Sequence, residues 1–225
     1  MSDGRVHLLS FFIFRGFNMK KTVITISRET GSGGHSIGKL LAEKLGYSFY
    51  DKEIVNQTAI EMGIDAETIA ENEENMSDNT FINLVSGFVP LSRKKSIPID
   101  SIQQSQSKLI KNIAQKGNCV IVGRNSDYIL KDDPKAFHIF IHADLNHRVN
   151  RVAKREEIVG QEKRIARELK VKDKSRSAYY QYYTDRPWGF VSNYNMVLDT
   201  GIFSEEQCCE IIINALKITG GNKNA

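Results

Sequence analysis

Between Thr22 and Ser27 the chain reads Thr-Val-Ile-Thr-Ile-Ser, then turns polar at Arg28 and Glu29 and glycine-rich at positions 31, 33 and 34. Past Gly34 the apolar period changes, with Ile37, Leu40, Leu41 and Leu45 recurring at helical spacing. The pattern predicts a strand, a tight turn and an amphipathic helix packed on a sheet. Tyr47–Tyr50, Cys119–Val122 and Phe137–Ile141 are further apolar runs, and Met196–Leu198 is a shorter one. Each is short and continuous rather than alternating, as in strands covered on both faces. Helical patterns separate them, so the chain reads as α/β with a parallel sheet. A last helix, Ser204–Ile218, opens on a Ser-Glu-Glu start signal.

Two stretches are long for simple crossovers. Residues 52–118 carry acidic and polar helical segments such as Ala66–Met76, then a Pro90–Pro98 loop with Arg93, Lys94 and Lys95. They read as a helical insertion closing over one side of the sheet edge. Residues 146–190 form a second insertion, dense in arginine and lysine, with the character of a lid. At the start, Leu8–Phe14 is apolar but too short to span a bilayer, and no small-residue cleavage site follows. Residues 1–18 are therefore expected to be an extension outside the fold, with Met19 the natural start, one domain over 19–220 and a tail over 221–225.

A length of 225 residues suits one domain of this class. The net charge of +4 suits an anionic small molecule and lacks the concentrated basic face of a nucleic-acid binder. Cys119, Cys208 and Cys209 have neither framework nor CxxC spacing, which argues for a reducing, cytoplasmic setting and against zinc. The histidines show no ligand spacing and no Ser/His/Asp set stands out, so protease, nuclease and metalloenzyme readings find no support. No membrane partner is expected, and nothing in the pattern specifies an oligomeric state.

The glycine turn carries the sharpest chemistry. A strand, a glycine-rich turn and a helix N-terminus point backbone N–H groups and a helix dipole at one small space, which suits phosphate. Against the strict form G-x-x-x-x-G-K-[S/T], Gly34 is the second glycine and Ser36 the magnesium-binding hydroxyl. Glu29 stands in place of the first glycine and His35 in place of the lysine. Gly31, Ser32, Gly33, Gly34, His35 and Ser36 are the candidate phosphate-binding residues, although a turn that binds nothing has the same pattern. Arg124 follows a strand and a glycine, so it projects from the carboxyl edge of the sheet, where α/β folds bind ligands. Arg148, Arg151 and Arg155 share one helical face, either a phosphate-facing row or a solvated basic one. The lid's tyrosines 179, 180, 182 and 183, with Arg186 and Trp188, suit either base stacking or local packing.

Six landmarks stand in order: Ser27-Arg-Glu-Thr-Gly-Ser-Gly-Gly34, Leu45-Gly-Tyr-Ser-Phe-Tyr-Asp51, Val122-Gly-Arg124, His142-Ala-Asp144 followed by Arg148 and Arg151, Asp173-Lys-Ser-Arg176, and Leu198-Asp-Thr200. Each is weak alone; the ordered set is specific. Over residues 20–218 the chain resembles the cytidylate kinase-like branch of the P-loop nucleoside monophosphate kinases. The resemblance implies a three-layer P-loop NTPase fold with a parallel core sheet, a helical NMP-binding insertion and a lid. It implies ATP and Mg2+, with CMP or dCMP the foremost acceptor. It also implies phosphate contacts from Arg151, then Arg148, and from Arg124 and Arg176 on the acceptor. Asp51 would precede the acceptor site and Asp173 would hold the sugar; read bare, these are a helix N-cap and an i,i+3 salt-bridge member.

Departures qualify the resemblance. Ordinary members carry a lysine where His35 stands. Histidine, with a reference pKa near 6.5, is charged only in part at neutral pH, so a phosphate role for His35 predicts activity favouring lower pH. Lys39, one turn on, is a candidate substitute. Val122 replaces a frequent acidic residue and Asn125 a frequent aspartate. Two alternatives stay open: a same-fold kinase for another small acceptor, and a nucleotide-binding regulatory protein with little catalysis.

Overall fold

The computed structural model describes residues 20–63, 66–67 and 99–221. The elements are β1 (Val23–Arg28), α1 (Gly34–Leu45), β2 (Ser48–Tyr50), α2 (Lys52–Met62), α3 (Ile99–Lys116), β3 (Cys119–Val122), α4 (Ser126–Ile129), β4 (Ala136–His142), α5 (Leu145–Arg155), α6 (Glu162–Thr184), β5 (Met196–Asp199) and α7 (Glu205–Gly221). All the expected strands form, in one parallel sheet ordered β2-β3-β1-β4-β5. The continuous apolar runs are explained by two-sided burial. Even-numbered Ile24, Ile26, Val120 and Val122 pack with Ile37 and Leu41 of α1 and with Cys208, Cys209, Ile212 and Leu216 of α7. Odd-numbered Val23, Cys119 and Ile121 face Ile54 of α2 and Ile110, Ile113 and Ala114 of α3. The result is a three-layer α/β fold.

Between α2 and α3, residues 64–65 and 68–98 lie outside the described residues, and with them most of the Ala66–Met76 reading and all of the Pro90–Pro98 one, as do residues 1–19. Of the second insertion, α5 and α6 pack on one another through Val149, Val152, Ile165 and Leu169. The aromatic cluster is mainly packing. Tyr179 and Tyr183 hydroxyls donate to Gln103 and Asp100, tying α6 to α3, and Tyr180 donates to buried Asp127. Among the described residues no helix is long and apolar enough to cross a membrane.

Helix ends follow local chemistry. Asp144 caps α5, its carboxylate accepting from the N–H groups of Asn146 and His147. Gly46, with φ +67°, closes α1. Strand order matters most for function. From β1 the chain crosses towards β2, and from β3 it crosses to β4 on the other side of β1. The carboxyl ends of β1 and β3 therefore flank a topological switch point, where a crevice opens.

Candidate active site

The turn after β1 is built to be rigid. Gly31 and Gly33 sit at φ +82° and +90°, in the left-handed region that favours glycine. The Ser32 hydroxyl donates to the carbonyls of Glu29 and Ile141, and the Thr200 hydroxyl donates to the carbonyl of Ser32. Glu29 accepts from the Ala143 N–H at 3.1 Å and lies 3.4 Å from Arg148 Nε. Asp173 accepts from both the N–H and the hydroxyl of Thr30, each at 2.7 Å, and pairs with Arg148 Nη1 at 2.6 Å. Arg148 also donates to the carbonyls of Ala143 and Thr30.

Two of the expected ligand contacts have protein partners in this structure. Arg148, expected on phosphate, is buried, and its donors are committed to the back of the turn. Asp173, expected on a sugar, lines neither of the cavities described below and holds Thr30 instead. Ser32 likewise faces inward. All three shape the turn rather than its open side. Glu29, read as a defect in the motif, is one of the struts.

Two cavities open along the carboxyl edge of the sheet. The first, about 280 Å³, is lined by Gly31, Gly33, Gly34, His35 and Ser36 of the turn and by Arg151 and Arg155 of α5. Arg151 donates to the Ser36 hydroxyl at 3.2 Å and ion-pairs with Glu205 at the start of α7. The second, about 260 Å³, is lined by Asp51, Arg124 and Asn125, with Tyr179, Tyr180 and Trp188 as aromatic wall. Arg28, Lys172 and Arg176 line both. Expected site residues from five separate stretches thus meet around one crevice. Lys39 is exposed and lines neither cavity.

The chain leaves β3 through three successive left-handed residues, Gly123, Arg124 and Asn125, at φ +77°, +59° and +52°. Outside glycine such backbone costs on the order of 1 kcal/mol per residue. The Gly-Arg-Asn order was the one sequence signal for it, since glycine and asparagine tolerate this region best. The turn delivers Arg124 to the second cavity, where burial and the nearby charge of Arg28 push its pKa down to about 10. The amide Nδ2 of Asn125, buried in the same lining, has no partner among the described residues.

Arg28 was not singled out by the sequence. It ends β1, lies between the two cavities, and is held below its usual pKa by burial, with Asp51 opposing. Asp51 does not cap α2 with its side chain. Its carboxylate takes the His35 Nδ1 proton as a hydrogen bond at 2.6 Å and stands 3.8 Å from Arg28. The histidine at the lysine position is therefore oriented by an acid from the junction of β2 and α2.

The profile of the cytidylate kinase-like family matches residues 23–202. The chain belongs to that family. A cytidylate kinase from Archaeoglobus fulgidus is 27% identical over 200 residues, covering 87% of this chain and 94% of its own. One from Methanopyrus kandleri is 30% identical over 204 residues, covering 86% and 92%. An uncharacterized protein from Eubacterium ventriosum, 26% identical, matches at a TM-score of 0.63 over 87% of this chain and 98% of its own. A gluconokinase from Sinorhizobium meliloti, 14% identical with a TM-score of 0.51, covers 91% and 96% and shares the fold. For this kinase-family chain the two cavities are the natural places to look for its substrates.

Proposed function

We propose that this kinase transfers the γ-phosphoryl group of ATP to a pyrimidine nucleoside monophosphate, CMP or dCMP foremost. The observation that carries the reading is the pair of cavities meeting at Arg28, Lys172 and Arg176. Phosphoryl transfer asks a protein chiefly to hold two polyanions in line and to neutralise charge on the moving group. In this reading the first cavity takes the ATP phosphates on the N–H groups of Gly31–Ser36, at the positive end of α1, with His35, Arg151 and Arg155 around them. The second takes the acceptor, its phosphate on Arg124 and Arg176, with Asp51 in the lining.

An arginine forks onto two phosphate oxygens, so this donor set is suited to monoester recognition. The unpartnered Nδ2 of Asn125 is a donor suited to a carbonyl or phosphate oxygen of the acceptor. Ser36, whose hydroxyl opens on the first cavity, fits a magnesium site that keeps much of its water shell. When bound, the ion would neutralise charge between the β- and γ-phosphates. In the transfer the bond from the γ-phosphorus to the bridging oxygen breaks, its electron pair leaving with ADP. An oxygen of the acceptor phosphate forms the new bond. That phosphate is largely dianionic at neutral pH, so no general base is needed.

The test is ADP release from magnesium and ATP with CMP, dCMP, UMP, AMP and shikimate. The expected result is a rate with CMP or dCMP that falls about 100-fold in Arg124→Ala and Arg176→Ala. Absence of a rate with every acceptor, in protein that still binds ATP, overturns the reading and favours a regulatory nucleotide binder.

A further inference from the structure

Arg28 is the side chain around which the crevice is shaped. An alanine-like Cβ at Gly123, in the turn after β3, would fall on the place the Arg28 guanidinium end now occupies. One at Gly34, at the start of α1, would stand 2.5 Å from Arg28 Cβ. Two landmark glycines from two different turns thus leave room for one arginine. The backbone beneath it is fixed, because Arg28 pairs in register with Ile141 inside the sheet.

The three cations shared by the cavities are not equivalent. Lys172 is exposed on α6. Arg176 donates to the Arg28 carbonyl at 3.3 Å and to the Thr30 hydroxyl at 2.9 Å. The Arg28 side chain is 18% exposed, and its guanidinium pairs with Asp51 at 3.8 Å. That distance is beyond hydrogen bonding, and the same carboxylate already holds His35 at 2.6 Å. A largely enclosed guanidinium with so loose a counter-ion is electrostatically poised for an anion.

We propose that Arg28 is a catalytic residue that binds the transferring phosphoryl group where the two cavities meet, supplying the permanent charge that the strict motif draws from its lysine. This rests on the phosphotransfer reading above and adds a role to a residue outside the glycine turn. As the bond to ADP breaks and the bond to the acceptor oxygen forms, charge on the three equatorial oxygens is met by a guanidinium that needs no protonation. His35, oriented by Asp51, is then relieved of that duty.

The test separates this role from the identity of the acceptor. Wild type, Arg28→Gln, Arg28→Lys and Arg28→Met, all as full chains, are titrated with Mg-ADP and with a non-hydrolysable Mg-ATP analogue. Each is also assayed for turnover with CMP, dCMP and UMP. In both neutral variants ADP affinity is expected to stay within about threefold, because the β-phosphate lies beyond the junction. The preference for the analogue over ADP is expected to fall at least tenfold, and kcat by about 100-fold. Arg28→Lys should recover part of both.

An unchanged analogue preference in a folded Arg28→Gln or Arg28→Met overturns the proposal, as does a wild type with no such preference. A wild type that prefers the analogue through Arg28 but turns over none of the acceptors overturns the pyrimidine reading and leaves Arg28 in place.

Discussion

Single charged residues in this crevice serve more than one partner. Asp51 orients His35 and faces Arg28, so both side chains depend on one carboxylate from the β2–α2 junction. Arg151 is similarly divided. It reaches over the turn to the Ser36 hydroxyl, while Glu205 takes its charge. The Glu205 carboxylate also lies 3.2 Å from where a Cβ at Gly33 would be, on the open side of the turn. In the phosphotransfer reading a carboxylate there repels incoming phosphates and competes with them for Arg151. Glu205→Gln should therefore tighten ATP binding about fivefold, on the order of 1 kcal/mol for a partly screened charge at this distance. Calorimetric titration of the two proteins with Mg-ATP checks it. Equal or weaker binding by the variant would show that Glu205 instead presents Arg151 to the nucleotide.

At the scale of elements, the α1 helix shows how the layers were written into the sequence and where that writing stopped. The spacing of Ile37 and Leu41 and the continuous strands were legible because burial imposes a period, and the sheet and its flanking helices followed. Arg124, Arg151 and Arg176 were legible as cations on segments bound for one sheet edge. The inward turn of Arg148 and Asp173 was not, because local spacing cannot say which of two arginines one turn apart is buried. Arg28 was hidden for a related reason. Its setting is made by Gly34 and Gly123, glycines distant in sequence that both come to flank Arg28 only when β1 and β3 pair.

Gly38, in mid-helix, carries the same kind of information. A Cβ there would meet Val122 Cγ2 at 2.9 Å, Phe49 Cε2 at 3.2 Å and Ile26 Cδ1 at 3.3 Å. Gly38→Ala gains helix propensity of about 1 kcal/mol but overpacks the α1–sheet seam by about 2 kcal/mol, for a net loss of about 1 kcal/mol. A melting temperature lower by about 3 °C is expected. A variant more stable than wild type would mean that the seam relaxes at no cost.

For the molecule as a whole, the sheet that builds the crevice also sets how folding responds to acid. His138 lies in β4 beside central β1, 8% exposed, its Nδ1 at 2.8 Å from the Thr25 hydroxyl. Burial, reinforced by Lys21 and opposed by Asp133, brings its pKa down to about 4. In the unfolded chain the same imidazole titrates near 6.5. Between those values the unfolded state binds the extra proton, so stability falls as pH drops through the window and is full above it. A gap of about 2.5 units at 1.36 kcal/mol each gives about 3 kcal/mol from this one group. Buried Asp127 works in the other direction, because burial raises its pKa and a neutral carboxyl favours the fold as pH falls.

The two effects separate in a His138→Gln variant, which keeps Asp127. Urea unfolding of both proteins from pH 7.5 to pH 4.0 should show the wild type losing about 3 kcal/mol more than the variant, nearly all of it below pH 6.5. Parallel loss in the two proteins would mean that His138 is protonated in the folded sheet, and would place the acid sensitivity of this kinase elsewhere.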